Sequence, residues 1–128
     1  MEPSIVGQFI STLLASRTQA HIFHWQTTGE GSFAAHAGLN VYYDNIVEIV
    51  DGLVESYQGK YDIVTGYTNI ALQEFQKCED VILYFTTLVN YLEKSRTLIA
   101  QDSYIQNQVD ELVAEIYSLL YKLKSFKK

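Results

Sequence analysis

The sequence has almost no helix breakers, and this feature limits most strongly the folds that are open to it. Its 128 residues contain one proline, Pro3, and seven glycines. Proline interrupts helices and central strands, so its absence after position 3 leaves room for long elements. Hydrophobic residues make up 48% of the chain and charged residues 19%, which is typical of a globular protein. We therefore expect a single domain over residues 1–128.

Apolar residues recur with a period near 3.6 in four stretches, and this pattern predicts four amphipathic helices. The first should run from Pro3 and Ser4 to about Gln26, the second from Phe33 to about Gln58, the third from about Glu79 to Ala100 and the fourth from about Tyr104 to Ser125. The expected inward-facing residues are Ile5, Val6, Phe9, Ile10, Leu13, Leu14 and Ala20, then Leu39, Tyr43, Ile46, Val50, Leu53 and Tyr57, then Val81, Tyr84, Leu88, Tyr91, Leu92 and Leu98, and finally Ile105, Val109, Leu112, Ile116, Leu119 and Leu123. Four such helices predict an all-α four-helix bundle.

The joints between the helices carry recognisable signals. Ser32 follows a turn with Gly29 and Gly31 and is a candidate cap for the second helix, which Gly59 should close. Residues 60–69 mix glycine and polar residues with apolar ones, which indicates a packed connection rather than a free linker. Residues 70–77 are predicted to form a short helix within this middle connection.

Charge and cysteine content exclude several classes of protein. The formal charge of −6 argues against a general affinity for nucleic acid, whose backbone favours lysine and arginine. Cys78 is the single cysteine, so a disulfide framework is not expected and a reducing cytoplasm is the natural setting. The start, MEPSIVGQF, has no basic segment followed by a long apolar run, so no signal peptide is expected. No stretch approaches the roughly 20 apolar residues needed to cross a bilayer.

The residues that are candidates for metal binding lie between positions 21 and 55, a stretch that holds all three histidines and the single tryptophan. His21 and His24 are three residues apart, and Asp51 and Glu55 are four apart, so each pair shares one face of a helix. His36 lies between the two pairs. Imidazoles together with carboxylates are the ligands expected for ferrous iron, with zinc or manganese as possible substitutes.

Helix geometry keeps these ligands apart within one chain. His36 and Asp51 are 15 residues apart on the same predicted helix, which corresponds to about 22 Å. His24 can reach His36 because only a tight turn separates them. One chain therefore offers a histidine half-site and a carboxylate half-site. Two chains with antiparallel second helices about a two-fold axis would bring unlike halves together, so a complete site is expected only in a dimer.

The residues of this region resemble the Dps family, the mini-ferritins that protect DNA during starvation. The resemblance rests on H-x-x-H-W, a following glycine and phenylalanine, a histidine twelve residues after the second one, and D-x-x-x-E on the next helix. It implies a ferritin-like bundle with a short extra helix in the middle connection. It also implies four metal ligands, His24 and His36 from one subunit and Asp51 and Glu55 from the other. Trp25 matches a tryptophan beside that centre, and His21 matches a histidine one turn earlier.

By this resemblance the protein would be a ferroxidase. It would oxidise Fe(II) with peroxide or oxygen, protect against oxidative stress, and store ferric mineral in a cage of twelve subunits. Two departures are visible. Many relatives carry an acidic residue where this chain has Asn40, and the carboxyl end has only a modest basic character from Lys122, Lys124, Lys127 and Lys128. DNA binding is therefore expected to be weak or absent, and no membrane partner is expected.

Simpler interpretations exist for each feature. Most tyrosines would be packing residues, Asp44 and Glu48 a solvated acidic face, and Cys78 a buried small hydrophobe. For Asp51 and Glu55 a metal role is favoured over a solvated face because they complete the ligand set. The alternatives to a ferroxidase are a non-catalytic ferritin-like structural protein and a DNA-compacting protein.

Overall fold

The computed structural model describes residues 3–29 and 31–125 of the chain. Over these residues it contains four α-helices and no strand. The helices are α1 (Pro3–Gln26), α2 (Ser32–Lys60), α3 (Cys78–Ser95) and α4 (Ser103–Ser125), with a 3₁₀ turn at Arg96–Leu98. The prediction of an all-α four-helix bundle is confirmed. Lys127 and Lys128, which belong to the basic carboxyl end, lie outside the described residues.

The helices pack in the circular order α1, α2, α4, α3, and the core fills the space between them. α1 packs on α2, α2 on α4 and α4 on α3, whereas α1 and α3 approach each other at few points. All six residues predicted to face inward from α4 are buried. In the part of the chain that the structure describes, no helix is both long and apolar enough to span a bilayer.

Six residues that were expected in the core are not fully buried, and three of them, Ile5, Tyr84 and Tyr91, are half-buried at its edge. The other three depart further from the prediction. Leu14 is 49% exposed and Leu98 is 55% exposed, while Tyr43 is half-buried beside the histidines and its neighbour Tyr42 fills the core instead. The prediction that Leu98 faces the core is wrong because α3 ends at Ser95 rather than at Ala100. The chain turns there so that the Arg96 guanidinium can bind α4.

Arg96 explains where α3 ends. Its Nε donates to Gln106 Oε1 at 2.9 Å and its Nη2 donates to Asp110 Oδ1 at 2.6 Å. Both partners lie on α4, so the guanidinium fastens the turn between α3 and α4. The neighbouring carboxylate of Asp110 raises the pKa of Arg96, which keeps this group charged. A planar guanidinium is suited to such fork-shaped contacts.

The predictions for the two ends of α2 are wrong by a residue or two. Gly31, and not Ser32, is the residue before the helix, and it adopts a left-handed conformation with φ of 79°. Glycine takes this conformation without a steric penalty. Gly59 does not end the helix, which continues to Lys60 because Gly59 keeps a negative φ.

The middle connection, residues 61–77, contains no helix, so the short helix predicted over residues 70–77 is wrong. We call this extended segment the strap. Its backbone is bound by polar side chains of α1. The Thr68 N–H donates to Ser11 Oγ at 2.9 Å, and the Phe75 N–H donates to Gln26 Oε1 at 2.7 Å. These N–H groups are consequently taken by α1 and cannot form helical hydrogen bonds.

The distance between these two anchors also requires an extended strap. Ser11 and Gln26 are 15 residues apart on α1, which corresponds to about 22 Å at ~1.5 Å per residue. Their partners Thr68 and Phe75 are only 7 residues apart, which gives about 23 Å in an extended chain at ~3.3 Å per residue. A helix of that length would span about 10 Å and could not reach both anchors.

The strap crosses the start of α1 at a point where only glycine fits. A Cβ atom placed on Gly7 would lie 2.1 Å from the carbonyl oxygen of Thr65. On the strap side, Gly66 has a φ of 81°, and a Cβ atom there would lie 2.8 Å from Ser4 Cα. The two backbones therefore meet with no room for a side chain between them.

Hydrogen bonds between side chains also hold the interior of the bundle and the end at which α2 stops and α4 begins. The Ser16 hydroxyl donates to the Leu13 carbonyl at 2.7 Å, so the hydroxyl of the buried Tyr42 must donate to Ser16 Oγ, 2.7 Å away. Burial raises the pKa of Tyr42 and keeps it protonated. At the end of the bundle where α1 begins, Asp102 accepts a hydrogen bond from the Tyr61 hydroxyl and joins the end of α2 to the start of α4.

Candidate metal centre

His24 and His36 lie against each other at the tight turn between α1 and α2. Their ring centroids are 4.8 Å apart in an edge-to-face arrangement, and both side chains are half-buried. His24 belongs to the last turn of α1 and His36 to the second turn of α2, so the turn brings together two residues that are twelve positions apart. The expected approach of His24 to His36 is therefore present within one chain.

Backbone carbonyls fix the orientation of both rings. His24 Nδ1 lies 3.0 Å from the carbonyl oxygen of His36, and His36 Nε2 lies 3.0 Å from the carbonyl oxygen of Thr27. A carbonyl only accepts, so each of these nitrogens carries the proton in the neutral ring. His24 Nε2 and His36 Nδ1 are then left with lone pairs, and neither nitrogen has a hydrogen-bond partner among the described residues. Metal-binding histidines typically have one nitrogen held in this way.

The same contacts also have a structural effect. Thr27 follows the last residue of α1, so its carbonyl has no hydrogen-bond partner within that helix. The His36 ring of α2 supplies the missing donor. His36 thus caps the end of α1, and the contact of His24 with the His36 carbonyl ties α1 to α2 across the turn. This packing role and a metal role are compatible, because each ring uses only one nitrogen to hold the turn.

His21 is held by aromatic rings and not by the histidine pair. Its ring lies between Trp25 and Tyr43, with centroids 4.2 Å away on each side and interplanar angles of 34° and 21°. The His24 ring is 6.2 Å away. Trp25 is 67% exposed, so one side of this stack faces solvent. His21 and Trp25, which the resemblance predicts to lie near the metal ligands, are thus next to the pair formed by His24 and His36 within one chain.

A hydrogen-bonded chain extends from this stack along α2. The Tyr43 hydroxyl donates to Asn40 Oδ1 at 2.6 Å, and Asn40 Nδ2 donates to Asp44 Oδ2 at 3.3 Å. The Tyr43 ring also meets His24 edge-on at 5.6 Å. Asn40 therefore uses its oxygen within the chain, and Asp44 is drawn towards the histidine end of α2.

Sequence reasoning missed the role of Tyr43, which was assigned to the core stripe, and the hydrogen bond from Asn40 to Asp44, although the predicted exposure of Asp44 is confirmed. A signal for both was present in the spacing. Asn40, Tyr43 and Asp44 follow His36 by four, seven and eight residues, and these offsets place all four on one side of a helix.

Asp51 and Glu55 lie further along α2 and are exposed. Neither carboxylate has a hydrogen bond or an ion pair among the described residues. α2 is continuous from Ser32 to Lys60, so the separation of about 22 Å between His36 and Asp51 stands. Within residues 3–29 and 31–125, no three histidine, cysteine or acidic side chains converge on a possible metal position. One chain therefore holds the two half-sites apart, as the helix spacing predicts.

The outer face of α2 differs between its two ends. The amino-terminal end carries His36 and the exposed apolar side chains of Phe33 and Val41, and His24 of α1 lies against His36. The carboxyl-terminal end carries the four exposed carboxylates Asp44, Glu48, Asp51 and Glu55. The predicted acidic stripe is thus exposed, and the face as a whole runs from apolar and imidazole-bearing to strongly acidic.

Comparison with known proteins gives a family but no activity. No curated protein and no solved structure matches the chain. One family model matches residues 24–123, a range that begins at His24 and includes His36, Asp51 and Glu55. Since this match covers most of the chain, the protein belongs to the family of unknown function DUF5856.

Proposed function

We propose that this protein oxidises Fe(II) at sites shared between two chains and stores the ferric product. The observation that carries the proposal is the separation of two sets of ligands along α2. His36 lies near the amino-terminal end of α2 with His24 of α1 beside it, and each ring has one free nitrogen, whereas the unpaired carboxylates Asp51 and Glu55 lie towards the carboxyl-terminal end of α2. The resemblance of these residues to the Dps motif supports the same ligand set.

Electrostatics favours an antiparallel pairing of two such faces. If two α2 helices met in parallel, the stripes containing Asp44, Glu48, Asp51 and Glu55 would face each other and repel. In an antiparallel pair each acidic end meets the apolar, histidine-bearing end of the other chain. A two-fold axis would then generate two identical sites per dimer, each with two imidazoles and two carboxylates.

This donor set suits the proposed substrate. A mixture of imidazole and carboxylate ligands fits Fe(II), and zinc or manganese are expected to compete for the same site. Two carboxylates add negative charge, which favours the more highly charged Fe(III) product over Fe(II). Each Fe(II) gives up one electron, which oxygen or peroxide accepts. Four protein ligands also leave a position open for that oxidant.

The larger assembly belongs to the same proposal. We place the protein in the cytoplasm, as a homo-oligomer built from these dimers and closing into a cage of twelve chains. The net charge of −6 per chain would draw Fe(II) towards such an assembly. DNA association is expected to be weak or absent for the same reason.

The test is ferrous oxidation, followed by absorbance, with native protein and with His36→Ala and Asp51→Ala variants. Both variants should lose most of the activity. Glu48→Ala is the matched control, because it removes an exposed carboxylate of the same stripe that is not a proposed ligand. Equal oxidation rates in all four proteins would defeat the proposal.

A mixing experiment tests the shared site directly. His36→Ala and Asp51→Ala chains are unfolded together and refolded, so that about half of the dimers are mixed, and each mixed dimer has one intact site. Activity should return to about a quarter of the native value although each variant alone is inactive. No recovery would show that the four residues do not act across a dimer. Metal binding to the dimer without oxidation would instead indicate the non-catalytic structural alternative.

A further inference from the structure

A cleft opens between α1, α3 and the strap, on a part of the molecule that contains none of the proposed iron ligands. α1 and α3 approach each other at few points because the strap runs between them. The resulting cleft has a volume of about 430 Å³. Small-molecule sites in proteins typically enclose about 300–1,000 Å³, so the space is sufficient for a small organic ligand.

The α3 wall of this cleft is aromatic and apolar. It is formed mainly by Leu83, Tyr84, Leu88 and Tyr91, with Ile70 of the strap opposite. Leu83 is 63% exposed, so its side chain is accessible to a ligand in the cleft. The Tyr84 ring is supported from behind by Phe23 and Phe85 at centroid distances of 5.8 and 4.9 Å.

Polar groups without partners line the same wall. The hydroxyls of Tyr84 and Tyr91 and the carboxylate of Asp80 make no hydrogen bond or ion pair within the described part of the chain. Asp80 and Tyr84 are four residues apart on α3, so their side chains are neighbours on its surface. Burial raises the pKa of Tyr84, so its hydroxyl remains a hydrogen-bond donor. These polar atoms are open to solvent, so a ligand that enters the cleft can form hydrogen bonds with them in place of water.

We propose that this cleft binds a small organic cation with an apolar body, such as an arylalkylamine. Asp80 is the only side chain in the lining that carries a charge at neutral pH, so the site favours a cation. The faces of Tyr84 and Tyr91 attract an ammonium group as well. The apolar body of the ligand packs against Leu83 and Leu88. A single carboxylate is too few ligands for a metal ion, which distinguishes this site from the iron centre.

The probe is 2-phenylethylamine, titrated into the full chain while backbone amide shifts are followed by NMR. We expect saturable shifts over residues 80–91 with a Kd on the order of 1 mM. The neutral analogue 2-phenylethanol, which has the same size, should bind about tenfold more weakly to the native protein. This comparison requires no mutation, so it remains decisive if a variant fails to fold.

The variant Asp80→Asn should bind the amine about tenfold more weakly and should no longer distinguish it from the alcohol. Glu79→Gln is the matched control, because it removes a carboxylate from the same first turn of α3 that does not line the cleft. This control should bind like the native protein. The proposal is overturned if the amine produces no saturable shifts, if the alcohol binds equally well, or if both variants behave alike.

Discussion

Truncation of Gln19 should release the strap from the middle of α1 and destabilise the whole domain. The Gln19 side chain is fully buried, and its amide binds the backbone of Gln73 through two hydrogen bonds. Nε2 donates to the Gln73 carbonyl at 2.7 Å, and Oε1 accepts from the Gln73 N–H at 2.7 Å. This pairing replaces the contact that a neighbouring strand would otherwise give to the strap backbone.

The expected cost follows from these two bonds. Each contributes about 1 kcal/mol to the free energy of unfolding, so Gln19→Ala should cost about 2 kcal/mol. Gln73 is exposed, and water can reach its backbone once the glutamine is removed, which keeps the cost near this value rather than above it. The entropy of unfolding for a chain of 128 residues is about 0.27 kcal/mol/K near its melting temperature. The melting temperature should therefore fall by about 7 °C.

Urea unfolding followed by circular dichroism measures the free energy, and amide exchange at Gln73 measures the local effect. Thr18→Ala is the matched control, because its exposed neighbouring side chain makes no hydrogen bond within residues 3–29 and 31–125. It should change stability by less than about 0.5 kcal/mol. If Gln19→Ala and Thr18→Ala unfold alike, and exchange at the Gln73 amide is unchanged, the strap does not depend on this clamp.

Three further predictions concern the interior of the bundle and the end at which α1 and α4 begin. Ser16→Ala and Tyr42→Phe should each cost about 1–2 kcal/mol, and the double variant less than their sum, because both single changes remove the same hydrogen bond and Ser16→Ala also leaves the buried Tyr42 hydroxyl unpaired; additive costs in a urea-unfolding cycle would contradict this. Gly7→Ala should lower the melting temperature strongly, because its Cβ would lie 2.1 Å from a strap carbonyl oxygen, and an unchanged melting temperature would show that the backbones do not meet there. The Tyr61 hydrogen bond lowers the pKa of Asp102 in the folded protein. The ionised carboxylate therefore stabilises the fold at pH values above its unfolded pKa of ~3.9. This contribution disappears as the pH falls through the lower pKa of the folded state. Asp102→Asn should accordingly be less stable than native protein at pH 7 and equally stable at the acid limit, and a difference independent of pH would refute that reasoning.

The regular parts of the fold could be predicted from the sequence because their burial follows one period. Every residue expected inward from α4 is buried, since that helix has one neighbour-facing stripe and one solvent face. α1 is different, because both the other helices and the strap pack on it. Its polar residues Ser11, Ser16 and Gln19 are buried for this reason. A period-based pattern assigns such residues to solvent.

The incorrect predictions share one physical cause. A local sequence pattern does not show which other parts of the chain a segment will contact. Residues 70–77 have enough apolar character for a short helix, but side chains of α1 bind the backbone N–H groups of Gln73 and Phe75 and hold the segment extended. Tyr43 fits the apolar stripe, but its ring and hydroxyl find partners in His21 and Asn40. The proximity of His24 and His36 was predictable because a tight turn left little freedom. The pairing of these histidines with Asp51 and Glu55 of another chain stays a prediction, because contacts within one chain do not test it.

The path of the strap along α1 does not depend on the side chains of the strap, because α1 binds its main chain. The anchors at Ser11, Gln19 and Gln26 grip main-chain groups, which every residue type except proline provides. Substitutions between Thr68 and Phe75 should therefore be tolerated in family members so long as they spare the amides at the anchor points. A single insertion or deletion there would shift the strap by about 3.3 Å against a helix that cannot stretch. The length of this segment is consequently the property that evolution can change least.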